Sequence, residues 1–247
     1  VEVYAKEFWL PKRGSSEAEY EDSSSIAKDN CRFAVADGAA ETTFSRVWAK
    51  QLVRAFTKNK LSIPIALHEL EPLQNCWQKI VRRRPLPWYA EEKANNGAFA
   101  AFLGLELSEH QTEVGIKRKW QAIAVGDCCL VQVRGNEIII AFPLADSRSF
   151  TSRPNLLSSL PSSSESVSEL YLNCSGSWGC EDVFLLMTDA LACWFFKEQE
   201  QGNEPWNLIR DLDTYGQVSF EKLVTDLRSE GRLKNDDVTL VRIDVLA

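Results

Sequence analysis

Four times in this sequence an apolar run that reads as a buried strand meets an aspartate at its rim. Asp37 follows Phe33-Ala34-Val35-Ala36, and Asp127 follows Ala124-Val125-Gly126. Asp189 follows Leu185-Leu186-Met187-Thr188, and Asp236-Asp237 precede Val238-Thr239-Leu240-Val241. One such aspartate is ordinary turn chemistry, because its carboxylate accepts backbone N–H groups. Four at strand rims are harder to attribute to turns alone. If the strands are neighbours, the carboxylates converge, and clustered anions raise one another's pKa unless a cation sits among them. No regularly spaced Lys or Arg accompanies them, so hard divalent ions that prefer oxygen, Mg2+ or Mn2+, are the natural partners. Gly38, beside Asp37, lets the backbone come close and offers a carbonyl as a further ligand. Two ions bridged by one carboxylate form a device for phosphate-ester hydrolysis. The same acids are also compatible with one structural ion.

The rest of the chain supplies strands and helices around these rims. A buried strand is expected over 31–37, then a helix over 44–58 capped by Thr42 or Thr43, with Phe44, Val47, Trp48, Leu52 and Phe56 at helical spacing. A second helix is expected over 65–83, ending in Arg82-Arg83-Arg84, where cations suit a helix C-terminus. Pro85 and Pro87 then break the chain. Strands follow over 98–107 and 120–125, then a hairpin, 129–133 with 137–142, turning at Gly135-Asn136. The Ser-rich stretch 147–169 reads as a loop or flap. A strand over 182–188, helices over 190–200 and 220–228, and a terminal strand over 238–245 complete the pattern. There is no internal repeat and no evident linker, so one domain over 1–247 is expected.

Composition narrows the partners. The chain has 247 residues, 35 acidic and 28 basic side chains, and a formal charge of −7, which argues against a nucleic-acid partner held by bulk positive charge. Only two histidines occur, His68 and His110, with no metal-ligand spacing, so any metal is expected on carboxylates. Seven cysteines without a CxxC read as cytosolic thiols serving as small apolar groups. Cys128-Cys129 near Asp127 could form a redox switch, but inward packing on a strand is favoured. Trp178, in a Gly/Ser turn, is expected to be the most exposed tryptophan. No apolar run is long enough for a membrane span, and the N-terminus lacks a signal-peptide core. A cytoplasmic monomer is expected.

Five segments in order carry a resemblance. They are EYED (19–22), FAVADGA (33–39), AVGDCCLVQVR (124–134), LLMTDAL (185–191) and NDDVTLV (235–241). Together they resemble the metal-dependent serine/threonine protein phosphatases of type 2C, in a compact bacterial-type form, over about 12–245. The resemblance implies an α+β fold, a four-layer α-β-β-α sandwich of two mostly antiparallel sheets. It also implies hydrolysis of phosphoserine and phosphothreonine by a water bridging two Mg2+ or Mn2+ ions, with a phosphorylated protein as substrate. Asp37 matches the aspartate bridging both metals, Gly38 the carbonyl ligand of the second, and Asp189 and Asp236 ligands of the first. Asp127 matches a weaker third metal site. Glu21 and Asp22 match an acidic pair acting through metal-bound water. Asp237 replaces an asparagine beside the metals.

The sequence also departs from that pattern. Ala39-Ala40-Glu41 follow Gly38 where glycines are usual, Ala190 replaces a glycine, and Cys128 replaces a serine. Glu17 stands where the phosphate-binding arginine usually lies, leaving Arg13 or Lys12 to substitute. These departures keep a second reading open, a phosphatase-fold module that binds phosphoproteins or regulates a partner without catalysis. A phosphodiesterase or nuclease is the weakest reading, given the net charge.

Overall fold

The computed structural model describes residues 2–39, 44–83, 85, 94–113, 115–151, 153–161, 169–213 and 216–246. Expectations for Thr42, Thr43, Ala40, Glu41, Arg84, Pro87 and the 162–168 part of the flap lie outside them.

Two antiparallel sheets face each other. The first runs β1 (Val3–Leu10), β11 (Val238–Val245), β10 (Asp182–Met187), β6 (Cys129–Arg134), β7 (Glu137–Phe142) in spatial order. The second runs β2 (Ser23–Ala27), β3 (Arg32–Gly38), β4 (Phe99–Thr112), β5 (Gly115–Val125), β9 (Leu172–Ser177), with β8 (Leu157–Ser158) also paired to β4. Strand alternation builds the layers, because successive side chains point to opposite faces. Phe33 and Val35 of β3 point into the space between the sheets, where they join Leu103, Leu105, Trp120, Leu130, Phe184, Leu186, Val241 and Ile243. Their neighbours Ala34 and Ala36 point outward, under α1 (Ser45–Thr57) and α2 (Leu67–Arg82), meeting Trp48, Leu52, Phe56, Leu70 and Trp77.

On the far side, Val131, Leu185, Met187 and Leu240 pack against three more helices, α3 (Asp189–Glu200), α4 (Pro205–Arg210) and α5 (Gln217–Ser229). The result is the four-layer α-β-β-α sandwich that the sequence resemblance implied. Each buried Phe or Leu in these layers contributes about 1.5–3 kcal/mol of transfer free energy.

Three expectations need revision. Trp178 is not exposed: only 5% of its surface is accessible, and its indole N–H donates to Ser108 O at 3.2 Å and Lys119 O at 3.0 Å. The ring covers one end of the inter-sheet core, an apolar burial that outweighs the polar turn around it. The segment after Ser147 is not simply a loop. It forms a short 3-10 turn (Ser147–Ser149) and β8, and it is tied to the helical layer. Trp48 Nε1 donates to Leu157 O and Gln74 Nε2 to Leu160 O. Strands β4 and β5 also run well past the expected 98–107 and 120–125, as a polar two-stranded extension.

Candidate metal centre

Strand direction brings the rim acids to one end of the sandwich. β3 and β5 both run antiparallel to β4, so the ends that carry Gly38 and Val125 share an edge. In the other sheet the end of β10 faces the starts of β6 and β11, with Met187 opposite Cys129 and Leu240. Asp37, Asp127, Asp189 and Asp236 therefore meet across the gap between the sheets. They line one cavity of about 690 Å³ with Glu21, Gly38, Asp237, Lys234 and Arg153.

Two glycines make the approach possible. A Cβ on Gly38 would stand 2.8 Å from Glu21 O and 2.9 Å from the Ser45 carbonyl carbon. Gly126 has φ +88°, and a Cβ there would meet Ala101 Cβ at 2.7 Å and Asn155 O at 2.8 Å. It turns the chain so that Asp127 reaches the cavity. Ala190, in place of a glycine, sits in the first turn of α3 and is not among the positive-φ residues, so its methyl group is tolerated.

The anchoring of each acid is specific. Asp22 is only 2% exposed, and its Oδ2 accepts from Thr188 Oγ1 at 2.9 Å and Thr239 Oγ1 at 2.7 Å. Its other oxygen, Oδ1, is buried without a hydrogen-bond partner. Asp237 accepts the backbone N–H groups of Lys12 and Glu21, both at 2.8 Å, and so clamps the loop that carries Glu21 and Asp22. Glu21 Oε1 accepts from Ser45 Oγ at 2.7 Å, and its Oε2 lies 3.6 Å from Lys12 Nζ. Asp189 accepts from its own helix at Ala190 N, and Asp236 from Asp237 N. Asp236 Oδ2 is also 2.5 Å from Lys234 Nζ, which stands 3.8 Å from Asp189 Oδ2.

Burial and mutual repulsion dominate the electrostatics. Burial, then the charges of Asp22, Asp189 and Asp127, raises the Asp37 pKa well above the carboxylate range. Burial pushes Asp22 up to about 8, despite the hydrogen bonds from Thr239 and Thr188. Asp127 rises to about 6 through burial and the Asp189 charge. Burial raises Asp189 too, against the pull of Lys234.

A cluster of carboxylate oxygens with one orphaned buried oxygen, beside a glycine that has no room for a side chain, fits a hard divalent cation in donor chemistry. Among the described residues, however, no three His, Cys, Asp or Glu side chains stand close enough together to form a ready ligand set for one ion. Lys234 lies beside two of these acids, Asp189 and Asp236.

Arg13 is placed elsewhere. Its guanidinium donates to Ser229 Oγ at 3.0 Å, and it does not line the cavity. Lys12 is engaged by Glu21. Cys128 and Cys129 are both fully buried on opposite faces of their sheet, and burial raises both thiols, so neither is poised as a redox switch. Sequence reasoning missed Thr188 and Thr239, although each adjoins a singled-out motif. It also missed Lys234, two residues before Asp236. Thr151, Arg153 and Pro154 of the expected flap do reach the cavity wall.

No protein-family model matches this sequence, and no curated protein sequence matches it. Solved structures do match in fold. The Mycobacterium tuberculosis serine/threonine phosphatase PstP/Ppp is similar at 15% identity and TM-score 0.60, over 99% of each chain. A bacterial serine phosphatase is similar at 13% identity and TM-score 0.60, over 99% of this chain and 98% of that one. The catalytic domain of the serine/threonine protein phosphatase PstP in complex with two manganese ions is similar at 15% identity and TM-score 0.58, over the whole of both chains. The chain thus has the fold of these phosphatases.

Proposed function

We propose that the chain is a metal-dependent serine/threonine protein phosphatase of type 2C, a compact bacterial-type member whose single domain spans 1–247. One observation carries this reading. Asp37, Asp127, Asp189 and Asp236 converge in one cavity, at the end of a sandwich shared with phosphatases. The manganese in one of those neighbours supports the choice of metal.

Asp37, Asp189 and Asp236 would hold one Mg2+ or Mn2+ ion. Asp37 and the Gly38 carbonyl would hold a second, and Asp127 a weaker third. Glu21 and Asp22 would act through water. Bound there, the ions would acidify a nucleophilic water and offset charge on the phosphoryl group. The chain's own groups set the stage. Thr188 and Thr239 hold Asp22 in a fixed orientation through its Oδ2. Asp237 fixes the loop carrying Glu21. Arg153 on the cavity wall is the cation we assign to the substrate phosphate in place of Arg13, whose guanidinium is held by Ser229.

The substrate class is a phosphoserine or phosphothreonine protein. The net charge of −7 disfavours nucleic acid. No helix among the described residues is long and apolar enough to cross a membrane. We place the protein in the cytoplasm as a monomer.

Purified protein with Mn2+ should release phosphate from a phosphothreonine peptide, and Asp37→Asn should reduce release to background. Full activity in that variant, or no turnover with any divalent metal, sinks the catalytic reading. The second reading, a non-catalytic phosphoprotein-binding module, draws on the absence of a ready three-ligand set among the described residues. Peptide binding without turnover would select it.

A further inference from the structure

Under the phosphatase reading, Asp189 and Asp236 belong to one ion's ligand set. In the structure they share a different cation, the Lys234 ammonium, at 3.8 Å and 2.5 Å. We propose that Lys234 is a built-in counter-ion of the acidic cluster, one that a divalent cation must displace from Asp189 and Asp236 in order to bind. This inference rests on the metal-centre reading above and adds a competitor to it.

The turn that carries Lys234 is fixed on both sides. Leu233 is buried, Arg232 pairs with Glu198 at 2.8 Å, and Asn235 Oδ1 accepts from Arg13 N at 2.7 Å. Arg228 reaches across the turn to the carbonyls of Asp236 and Pro11. The lysine side chain is the mobile part. It is 67% exposed and lies over the acids from the solvent side, while Asp189 and Asp236 are 22% and 33% exposed. A flexible four-carbon stem can swing away without disturbing the backbone. The ammonium and a divalent ion compete for Asp236 Oδ2, and their charges repel.

Without a divalent ion the ammonium, lying against both carboxylates, offsets the charges of Asp189 and Asp236. The same contact weakens metal binding. Lys234 therefore stabilises the chain without metal and raises the metal concentration needed to load it.

The test uses Lys234→Met, which keeps the stem and removes the charge, and Lys234→Arg, which keeps a cation. Each is compared with the parent chain by calorimetric titration with Mn2+ alone, after exhaustive chelation, and by thermal unfolding in excess chelator. Lys234→Met should bind Mn2+ about tenfold more tightly, the scale of removing one unit charge a few ångströms from a divalent ion at high dielectric. It should also melt at a lower temperature in chelator. Lys234→Arg should stay near the parent in both.

Equal or weaker Mn2+ affinity in Lys234→Met overturns the counter-ion. If the parent chain binds Mn2+ and Asp37→Asn does not, the metal-centre reading survives that result. If neither the parent nor Lys234→Met binds Mn2+, both readings fail together.

Discussion

Asp127→Asn tests the electrostatic account of the cavity without relying on turnover. Asp127 is buried at the cavity wall, and burial with the Asp189 charge holds its carboxyl up at about 6 against a reference of 3.8. The folded chain therefore binds this proton more tightly than the unfolded chain. The penalty for ionising Asp127 is absent below about pH 4, grows between 3.8 and about 6, and is complete above that. A shift from 3.8 to about 6 corresponds to about 3 kcal/mol of destabilisation at pH 8. An uncharged amide of the same shape removes the penalty and also relieves Asp37, which feels the Asp127 charge. In excess chelator at pH 8, Asp127→Asn should be more stable than the parent by about 3 kcal/mol, roughly 6–12 °C in melting temperature for a chain of this size. At pH 3.5 the two should coincide. With saturating Mn2+ the advantage should shrink or reverse, because the carboxylate then faces a cation. Urea unfolding across pH 3.5–8 reads this directly. A variant no more stable than the parent at pH 8 in chelator would refute the reasoning.

Other consequences follow from single contacts. Gly38→Ala should cost about 1–3 kcal/mol by overpacking, since its Cβ would press on Glu21 O at 2.8 Å; unchanged urea stability contradicts the close-approach argument. Asp182 is fully buried and accepts from Arg134, Gln132 and Gly179 at 2.7–2.9 Å. Asp182→Ala should cost about 1–3 kcal/mol for each buried donor left unpaired, seen as a lowered melting temperature; an unchanged one contradicts it. Alkylation of the native protein should modify exposed Cys76 and spare Cys128 and Cys129. Fast labelling of either buried thiol would place it outside the core.

Elements with one clear physical signature were legible in the sequence. β10 is buried at every position, and β3 and β11 at nearly every one, so each reads as a continuous apolar run. The amphipathic stripe of α1 marks the face that meets Ala34 and Ala36. Three of the four sheet edges were not legible; β7, the exception, was marked by its hairpin turn. In β1 only Ala5 and Phe8 are buried, β2 is a half-exposed Ser-Ser-Ser-Ile-Ala, and β9 has no fully buried residue. Such strands are defined by pairing to a neighbour rather than by their own apolar pattern. The polar extension of β4 and β5 escaped for the same reason. The rim aspartates were visible as types at positions, and the strand directions explain why they meet. What the sequence could not supply was the third dimension of the cluster. Asp22 Oδ2 is held by two threonines from different strand ends, and Lys234 lies against Asp189 and Asp236 only because α5 and β11 place their connecting turn there.

The central claim is that these carboxylates form a metal centre around Asp37. Anomalous scattering from crystals grown with Mn2+ tests it most directly. Two peaks flanking Asp37, one within reach of Asp189 and Asp236 and the other beside the Gly38 carbonyl, are the predicted result. No peak at Asp37 in crystals soaked to saturation, or manganese bound only at other acids, would contradict it.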